Sequence, residues 1–428
     1  MKHFRFRRWL GFAGFGAIAL AVLHILLTGF FSTTSSTAMP TLDDPIQQVR
    51  TGAVVVQVVD GAGNPLPDVA VHLVQTRHAF PFGVSLRTQF FQEESEGGIG
   101  ERDRQQALEI AARFFNATVP EDALKWYATE PIAGEVSYAE SDRILNWSEQ
   151  HHLPMRGHHL FWAVEEWNQD WLKELSPDAL REAVRHRATE ICDRYRGRIA
   201  EYDVLNEMLN GDFFQSRLGA AIVPEMFQWC HAADPAAILY TNEYNILNGE
   251  QLEQYVELVR SLLDQGIPLG GIGIQAHIRQ PFSPEQMQQA LDRLAVFHLP
   301  IKLTEVSVVA DTDAEQAQVL TDLYRIAFAH PAVAGITLWG FWEGSNWEPR
   351  SALFQQDFQP RAAAIAYEDL VFHQWWTDAS GQTNSQGEFT TRAFLGDYTL
   401  TLEKNGQTRT QPITIDSGDS TPQRIVAF

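Results

Sequence analysis

The sequence is poor in cysteine, in charge overall and above all in positive charge. Its two cysteines, Cys192 and Cys230, make no C-x-x-C pair, which removes the usual zinc and dithiol redox motifs. Both fall in helical patterns and are expected to be buried free thiols, with pairing open only if their helices are neighbours. Charged residues make up only 20% of the chain, and 32 Lys and Arg face 54 Asp and Glu, for a formal net charge of −22. Such a surface repels phosphate backbones, so no nucleic-acid partner is expected. No G-x-G-x-x-G follows an early strand, so an open, doubly wound dinucleotide-binding sheet lacks its fingerprint. No His-Glu-x-x-His occurs and no His-x-His follows the first strand, which counts against a metal-dependent barrel hydrolase. No cofactor and no metal are expected. Repeats and low-complexity tracts are also missing, apart from one linker.

What is present is apolar and aromatic. The chain has 428 residues, 45% hydrophobic, which suits one large domain and a smaller one. Its 12 tryptophans are numerous. Most serve as core filling, but indole faces are also good platforms for sugar rings. A neutral polysaccharide is not repelled by an acidic surface.

The order of textures divides the chain. Lys2, Arg5, Arg7 and Arg8, in a basic stretch 1–9, precede the apolar run 10–31. As a helix that run is long enough to span a bilayer, with the basic end inside. It is read as a signal anchor or a cleaved signal peptide, and either places the rest of the chain outside the cytoplasm. Residues 32–50 read as a linker. Residues 51–79 carry two β-type runs, Ala53–Val59 and Val69–Val74, separated by Asp60-Gly61-Ala62-Gly63-Asn64-Pro65 and expected to form a β-hairpin. Over 373–428, turn signals such as Ser385-Gln386-Gly387 and Lys404-Asn405-Gly406 recur between short strands. A lone hairpin is barely stable. The two flanks are therefore expected to join as one small β-sandwich.

Between the flanks, over 80–372, strands alternate with helices. The strand runs are Phe82–Leu86, Asn116–Val119, Pro154–Trp162, Glu201–Asn206, Ile238–Asn242, Gly271–Ala276, Ile301–Val306 and Gly335–Phe341. The helical stretches show 3.6-residue periodicity, as in Leu180, Val184, Ile191 and Tyr195. Ser176-Pro177 and Ser283-Pro284 set a cap before a first-turn proline. Ser283 with Gln286, and Thr312 with Glu315, read as capping boxes. Eight such units predict a closed α/β fold, the (β/α)8 TIM barrel.

In that barrel the chemistry sits at the C-terminal ends of the strands. The fourth strand ends in Asn206-Glu207 and the seventh in Thr304-Glu305. The third ends near His158, His159 and Trp162, and the sixth in Gln275 and His277. The second is followed by Glu121, Asp122, Lys125 and Trp126, and the eighth by Trp339 and Trp347. The fifth offers Asn242, Tyr244 and Asn245, and the first offers no polar group. Two carboxyl groups facing each other across a sugar are what glycoside hydrolysis requires: one donates a proton and the other is ionised.

These segments resemble glycoside hydrolase family 10, the endo-β-1,4-xylanases. Asp203-Val204-Leu205-Asn206-Glu207 is similar to the family's acid/base segment, and Leu303-Thr304-Glu305-Val306 to its nucleophile segment. Arg156-Gly157-His158-His159-Leu160-Phe161-Trp162, Glu121 to Trp126, Gly271 to His277 and Trp339-Gly340 resemble four further blocks, all in family order. The flanks, Gln75 to Gly83 and Gly396-Asp397-Tyr398, resemble those of plant-type members. The resemblance implies Glu207 as acid/base and Glu305 as nucleophile of a retaining, xylan-cleaving enzyme. It implies that Asn206 contacts a sugar 2-hydroxyl and that His277, with Gln275 close by, orients Glu305. It also implies that Glu121, Asp122, Lys125, His158, Trp162, Tyr244, Trp339 and Trp347 line the sugar sites. Two positions depart from the family pattern: Asp122 where Asn is frequent, and Ala163 where many bacterial members have His. The expected partner is a xylan-type polysaccharide, met by a monomer. The rival from another class is a polysaccharide-binding or wall-attached protein that keeps the fold without turnover.

Overall fold

In the computed structural model, residues 45–93, 97–279, 283–417 and 423–426 are described. Contacts divide the chain into 1–39 and 40–428, and the description concerns the second unit. The expected signal or anchor segment, 10–31, lies outside the described residues. Among the described residues, no helix is long and apolar enough to cross a membrane.

Eight parallel strands form a closed ring: Phe82–Leu86, Ala117–Pro120, Met155–Gly157, Ile199–Asn206, Ile238–Glu243, Gly271–Ile274, Ile301–Val308 and Val333–Leu338. Each pairs with the next, and the eighth returns to the first through Ile336 opposite Phe82. These strands are buried on both faces, inward by one another and outward by helices, so they read as unbroken apolar runs. Phe82–Leu86 is buried at every position. Gly271 is required here, since a Cβ at that position would run into the Tyr240 ring of the neighbouring strand.

The helices begin where their caps predict. Ser176 accepts the Ala179 N–H, and Ser283 with Gln286 makes a complete capping box. Thr312 accepts the Glu315 N–H, but the Glu315 carboxylate takes the Asp311 N–H, one residue outside the expected box. Leu180, Val184, Ile191 and Tyr195 are all fully buried.

Three expectations are corrected. The two N-terminal strands do not form a hairpin. Thr51–Val59 pairs with Glu388–Phe394 and Gln423–Val426, whereas Ala70–His78 pairs with Asp378–Gln382 and Gly396–Lys404 in the other sheet. Both edges of each N-terminal strand are thus satisfied by C-terminal partners, and the β-sandwich module forms from both flanks. Residues 45–50, read as linker, form a short helix instead. The Arg50 guanidinium at its end donates to the carbonyls of Phe328, His330 and Val333, which anchors the helix. Cys192 and Cys230 are not free thiols. Helices Pro177–Arg194 and Ile222–Ala233 are neighbours, their Cα atoms at these positions lie 5.4 Å apart, and the sulfurs are bonded. Spacing along the chain carries no information on which helices touch.

The sandwich has its own apolar core, including Val56, Val58, Leu73, Leu400 and Leu402. It meets the barrel where the sequence enters the first strand. There Asn116 accepts the Phe82 N–H and donates to the carbonyls of His78 and Phe80, fixing the register at which the barrel starts.

Candidate active site

A cleft of about 820 Å³ opens at the C-terminal ends of the strands. Every residue expected in the site lines it: Glu121, Asp122, Lys125, His158, Trp162, Asn206, Glu207, Tyr244, Gln275, His277, Glu305, Trp339 and Trp347.

The two glutamates have different surroundings. Glu207 follows the fourth strand with φ of 61°, the left-handed region that an L-residue rarely adopts. Its N–H donates to the Asn242 carbonyl at 3.0 Å. Its carboxylate accepts three neutral donors: Trp162 Nε1 at 2.8 Å, Gln275 Nε2 at 2.9 Å and Asn206 Nδ2 at 3.1 Å. Glu305 lies within the seventh strand. Asn242 Nδ2 donates to its Oε1 at 2.7 Å, His277 Nε2 stands 3.4 Å from its Oε2, and His158 Nε2 is 3.9 Å away. Burial pushes the Glu305 carboxyl up, but His158, His277 and Lys125 outweigh it and hold the group below the ordinary carboxylate value. Asn242 joins the pair: it also donates to Asn206 Oδ1 at 2.9 Å, and Asn206 in turn donates to Glu207. One chain of two amides therefore links the two carboxylates.

His158 is held from behind. Its Nδ1 is 3.0 Å from Asp203 Oδ2, and Asp203 is clasped by Arg156 at 2.5 and 3.0 Å. Desolvation raises the Asp203 carboxyl, but Arg156 and His158 bring it down to about 2. The His277 ring is fixed by Ser307 Oγ, 2.7 Å from Nδ1. Trp339 is buried edge-on against His158, and Trp347 is 40% exposed, leaning over His277 with Arg279 against its ring.

At the other end of the cleft, Glu121 is buried, accepts the Ser85 hydroxyl and faces Arg87 at 3.5 Å. Desolvation dominates there and pushes its carboxyl up to about 7. Asp122 accepts the Thr88 hydroxyl at 2.5 Å. Lys125 is buried, its ammonium 4.7 Å from the Trp162 ring centre, while Trp167 stacks on Trp162 at 4.9 Å.

The sequence model of glycosyl hydrolase family 10 matches residues 80–370. The chain belongs to that family. Among curated relatives, it is 33% identical over 366 residues to anti-sigma-I factor RsgI6 of Acetivibrio thermocellus, covering 85% of this chain and 46% of that protein. It is 34% identical over 357 residues to endo-1,4-beta-xylanase 1 of Arabidopsis thaliana, covering 82% and 36%. The chain thus spans less than half the length of these relatives. Among solved structures, xylanase 10B of Thermotoga petrophila in complex with xylobiose matches with a TM-score of 0.63 at 23% identity, over 69% of this chain and 94% of that one.

Against that family frame, some site groups escaped the sequence reading. Arg87 lies directly after the first strand and lines the cleft, although that strand end was expected to be empty of polar groups. The arginine was visible one residue past the apolar run. The Gln275 side chain serves Glu207 rather than Glu305, which it meets only through its backbone carbonyl. Trp167 and Ser307 carried no motif. Glu243, fully buried at the end of the fifth strand, was also passed over. Burial, and then the charge of Glu207, push its carboxyl up to about 8.

Proposed function

We propose that this protein is a retaining endo-acting glycoside hydrolase that cleaves β-1,4-xylosidic bonds in xylan, with Glu207 as acid/base and Glu305 as nucleophile. The observation that carries this reading is the asymmetry of two linked carboxylates in one cleft. Glu305 sits among His158, His277 and Lys125 and is held ionised, as a nucleophile must be. Glu207 receives only neutral donors, Trp162, Gln275 and Asn206, and no cation is paired with it among these contacts. In the first step Glu305 attacks the anomeric carbon, the glycosidic bond breaks, and the Glu207 proton goes to the leaving oxygen. In the second, Glu207 takes a proton from water, whose oxygen displaces Glu305 and restores both groups. Two inversions give net retention, which requires carboxyl groups about 5–5.5 Å apart. The amide chain through Asn206 and Asn242 ties the two carboxyl groups to one mouth, and family membership favours retention.

The remaining groups bind sugar. Glu121, Asp122, Lys125, Asn206 and Tyr244 offer hydroxyl partners, Trp347 a face, and Trp339 a wall. Family membership and the names of the xylanase relatives favour xylan over glucan. We place the cleft outside the cytoplasm, with export through 10–31, in line with the Cys192–Cys230 bond, and as a monomer, since one chain completes the cleft. One relative, alike over 366 residues, is named as an anti-sigma-I factor and not as a hydrolase, which leads us to test a second reading, in which the cleft binds polysaccharide without turnover.

Hydrolysis of xylan and of mixed-linkage glucan, with the product anomer followed by NMR, separates these readings. The β-anomer released first from xylan, with Glu305→Ala reducing the rate by several orders of magnitude, is the expected result. Glu207→Ala should cripple xylan cleavage yet spare kcat/KM on an aryl xylobioside whose leaving group needs no proton. Xylan binding without product overturns the hydrolase reading, and so does a Glu305→Ala variant with near-normal rates.

A further inference from the structure

Glu243 holds a place in the site that neither the cleft lining nor the two-carboxylate mechanism uses. It is fully buried at the end of the fifth strand, behind the turn that carries Glu207. One carboxyl oxygen accepts the Leu209 N–H at 3.0 Å and the other accepts Asn210 Nδ2 at 3.3 Å. Asn210 closes the turn by donating its N–H to the Glu207 carbonyl at 3.1 Å, and its side chain is braced by Gln251. At the start of the turn, the Glu207 N–H is held by the carbonyl of Asn242, the residue before Glu243. Two consecutive residues of one strand therefore grip the turn at both ends.

That grip meets a physical need. A left-handed conformation at a non-glycine residue is unfavourable and persists only where its surroundings over-determine it. If the turn relaxed, the Glu207 carboxyl would swing away from Trp162, Gln275 and Asn206, its three donors. A proton donor misplaced by about 1 Å loses roughly 10²-fold in rate. A carboxyl group in a fully buried place is expensive, so its presence there calls for a function that an apolar side chain cannot serve. Here that function is to accept two donors from the turn at once.

We propose that Glu243 is a positioning residue for the acid/base group: its carboxyl fixes the Glu207–Asn210 turn and thereby aims Glu207 at the leaving oxygen. This rests on the assignment of Glu207 under the proposed function.

The test compares kcat/KM on xylohexaose and on an aryl xylobioside with an activated leaving group, for Glu243→Ala, Glu243→Gln and Glu207→Ala. Glu243→Ala is expected to lose roughly 10–100-fold on xylohexaose and less than about threefold on the activated substrate. Glu243→Gln keeps a carbonyl oxygen for the Leu209 N–H and should recover most of the loss. Equal losses of Glu243→Ala on both substrates, or none on either, overturn the proposal. If Glu243→Ala does not fold, Asn210→Ala removes the other half of the grip and should show the same split in smaller measure; no split there overturns the proposal equally. Glu207→Ala is the control. Absence of the leaving-group split in that variant defeats the assignment of Glu207 itself, whereas a split there without one at Glu243 defeats only the inference drawn here.

Discussion

The barrel mouth and the β-sandwich bury their side chains in opposite ways. The sandwich core includes Val, Leu, Ile, Ala and Phe with Tyr398, whose hydroxyl donates to the Phe394 carbonyl at 2.5 Å, and the few polar side chains buried beside it, such as Gln75 and Thr383, are bonded to the backbone. The mouth buries Asp203, Asn206, Glu207, Asn242, Glu243, Gln275, Thr304 and Glu305 side by side. Each such group is costly away from water unless it is paired, and the network pairs them through Arg156, His158, Trp162 and the two amides. The sandwich is assembled for stability, whereas the mouth gives up stability for fixed geometry and for carboxyl groups shifted in opposite directions. Asp203 is held low by Arg156 and His158, and Glu305 by His158, His277 and Lys125, while Glu121 and Glu243 are pushed up by burial to about 7 and about 8. Left-handed backbone occurs in both regions, at Asp68 and Asn405 in sandwich turns and at Glu207 and Ala276 in the mouth, but only in the mouth does it aim a carboxylate into the cleft.

Breaking one member of each region sharpens the contrast. Arg156→Met leaves Asp203 buried without its clasp and should cost about 3–5 kcal/mol in denaturant unfolding, along with most activity through His158. An unchanged unfolding midpoint would show that the pair is not a unit. Leu400→Ala, in the sandwich core, should cost about 2–4 kcal/mol by cavity formation and leave kcat/KM on xylan within about twofold. A large loss of activity at constant fold would mean that the sandwich shapes the cleft.

A further effect is one of pH. Between the ordinary glutamate value of about 4.3 and its folded value of about 8, Glu243 binds more proton in the native than in the unfolded state. It therefore lowers stability as pH rises through that window. Glu243→Gln has no such loss, so its stability relative to the wild type should climb with pH, by at most about 1.4 kcal/mol per unit. Melting curves at pH 5 and pH 8 with a constant gap would contradict this sign.

Sequence and tertiary structure contributed at different depths. The eight strands were legible because parallel strands buried on both faces leave apolar runs, and helix starts were legible because caps are local. Glu207 and Glu305 were legible because they stand at strand ends inside ordered motifs. Pairing between distant segments was not legible. Thr51–Val59 and Ala70–His78 looked like a hairpin because adjacency in sequence favours one, yet each finds better partners more than 300 residues away. Cys192 and Cys230 are bonded because two helices lie side by side, a fact absent from their spacing. The resemblance implied only that Gln275 stands close to Glu305, as its carbonyl does, but a side chain at a strand end can turn to either neighbour, and only packing directed its amide to Glu207.

The sequence by itself determined the barrel, the two carboxylates and most of the residues around them, because periodicity, caps and strand-end chemistry are local properties of the chain. Only the tertiary structure decided which donors each carboxylate receives, that the Glu305 carboxyl is held low, and that Glu243 stands behind the turn of Glu207. Those depend on burial and on contacts between residues far apart in the chain, which no local pattern encodes.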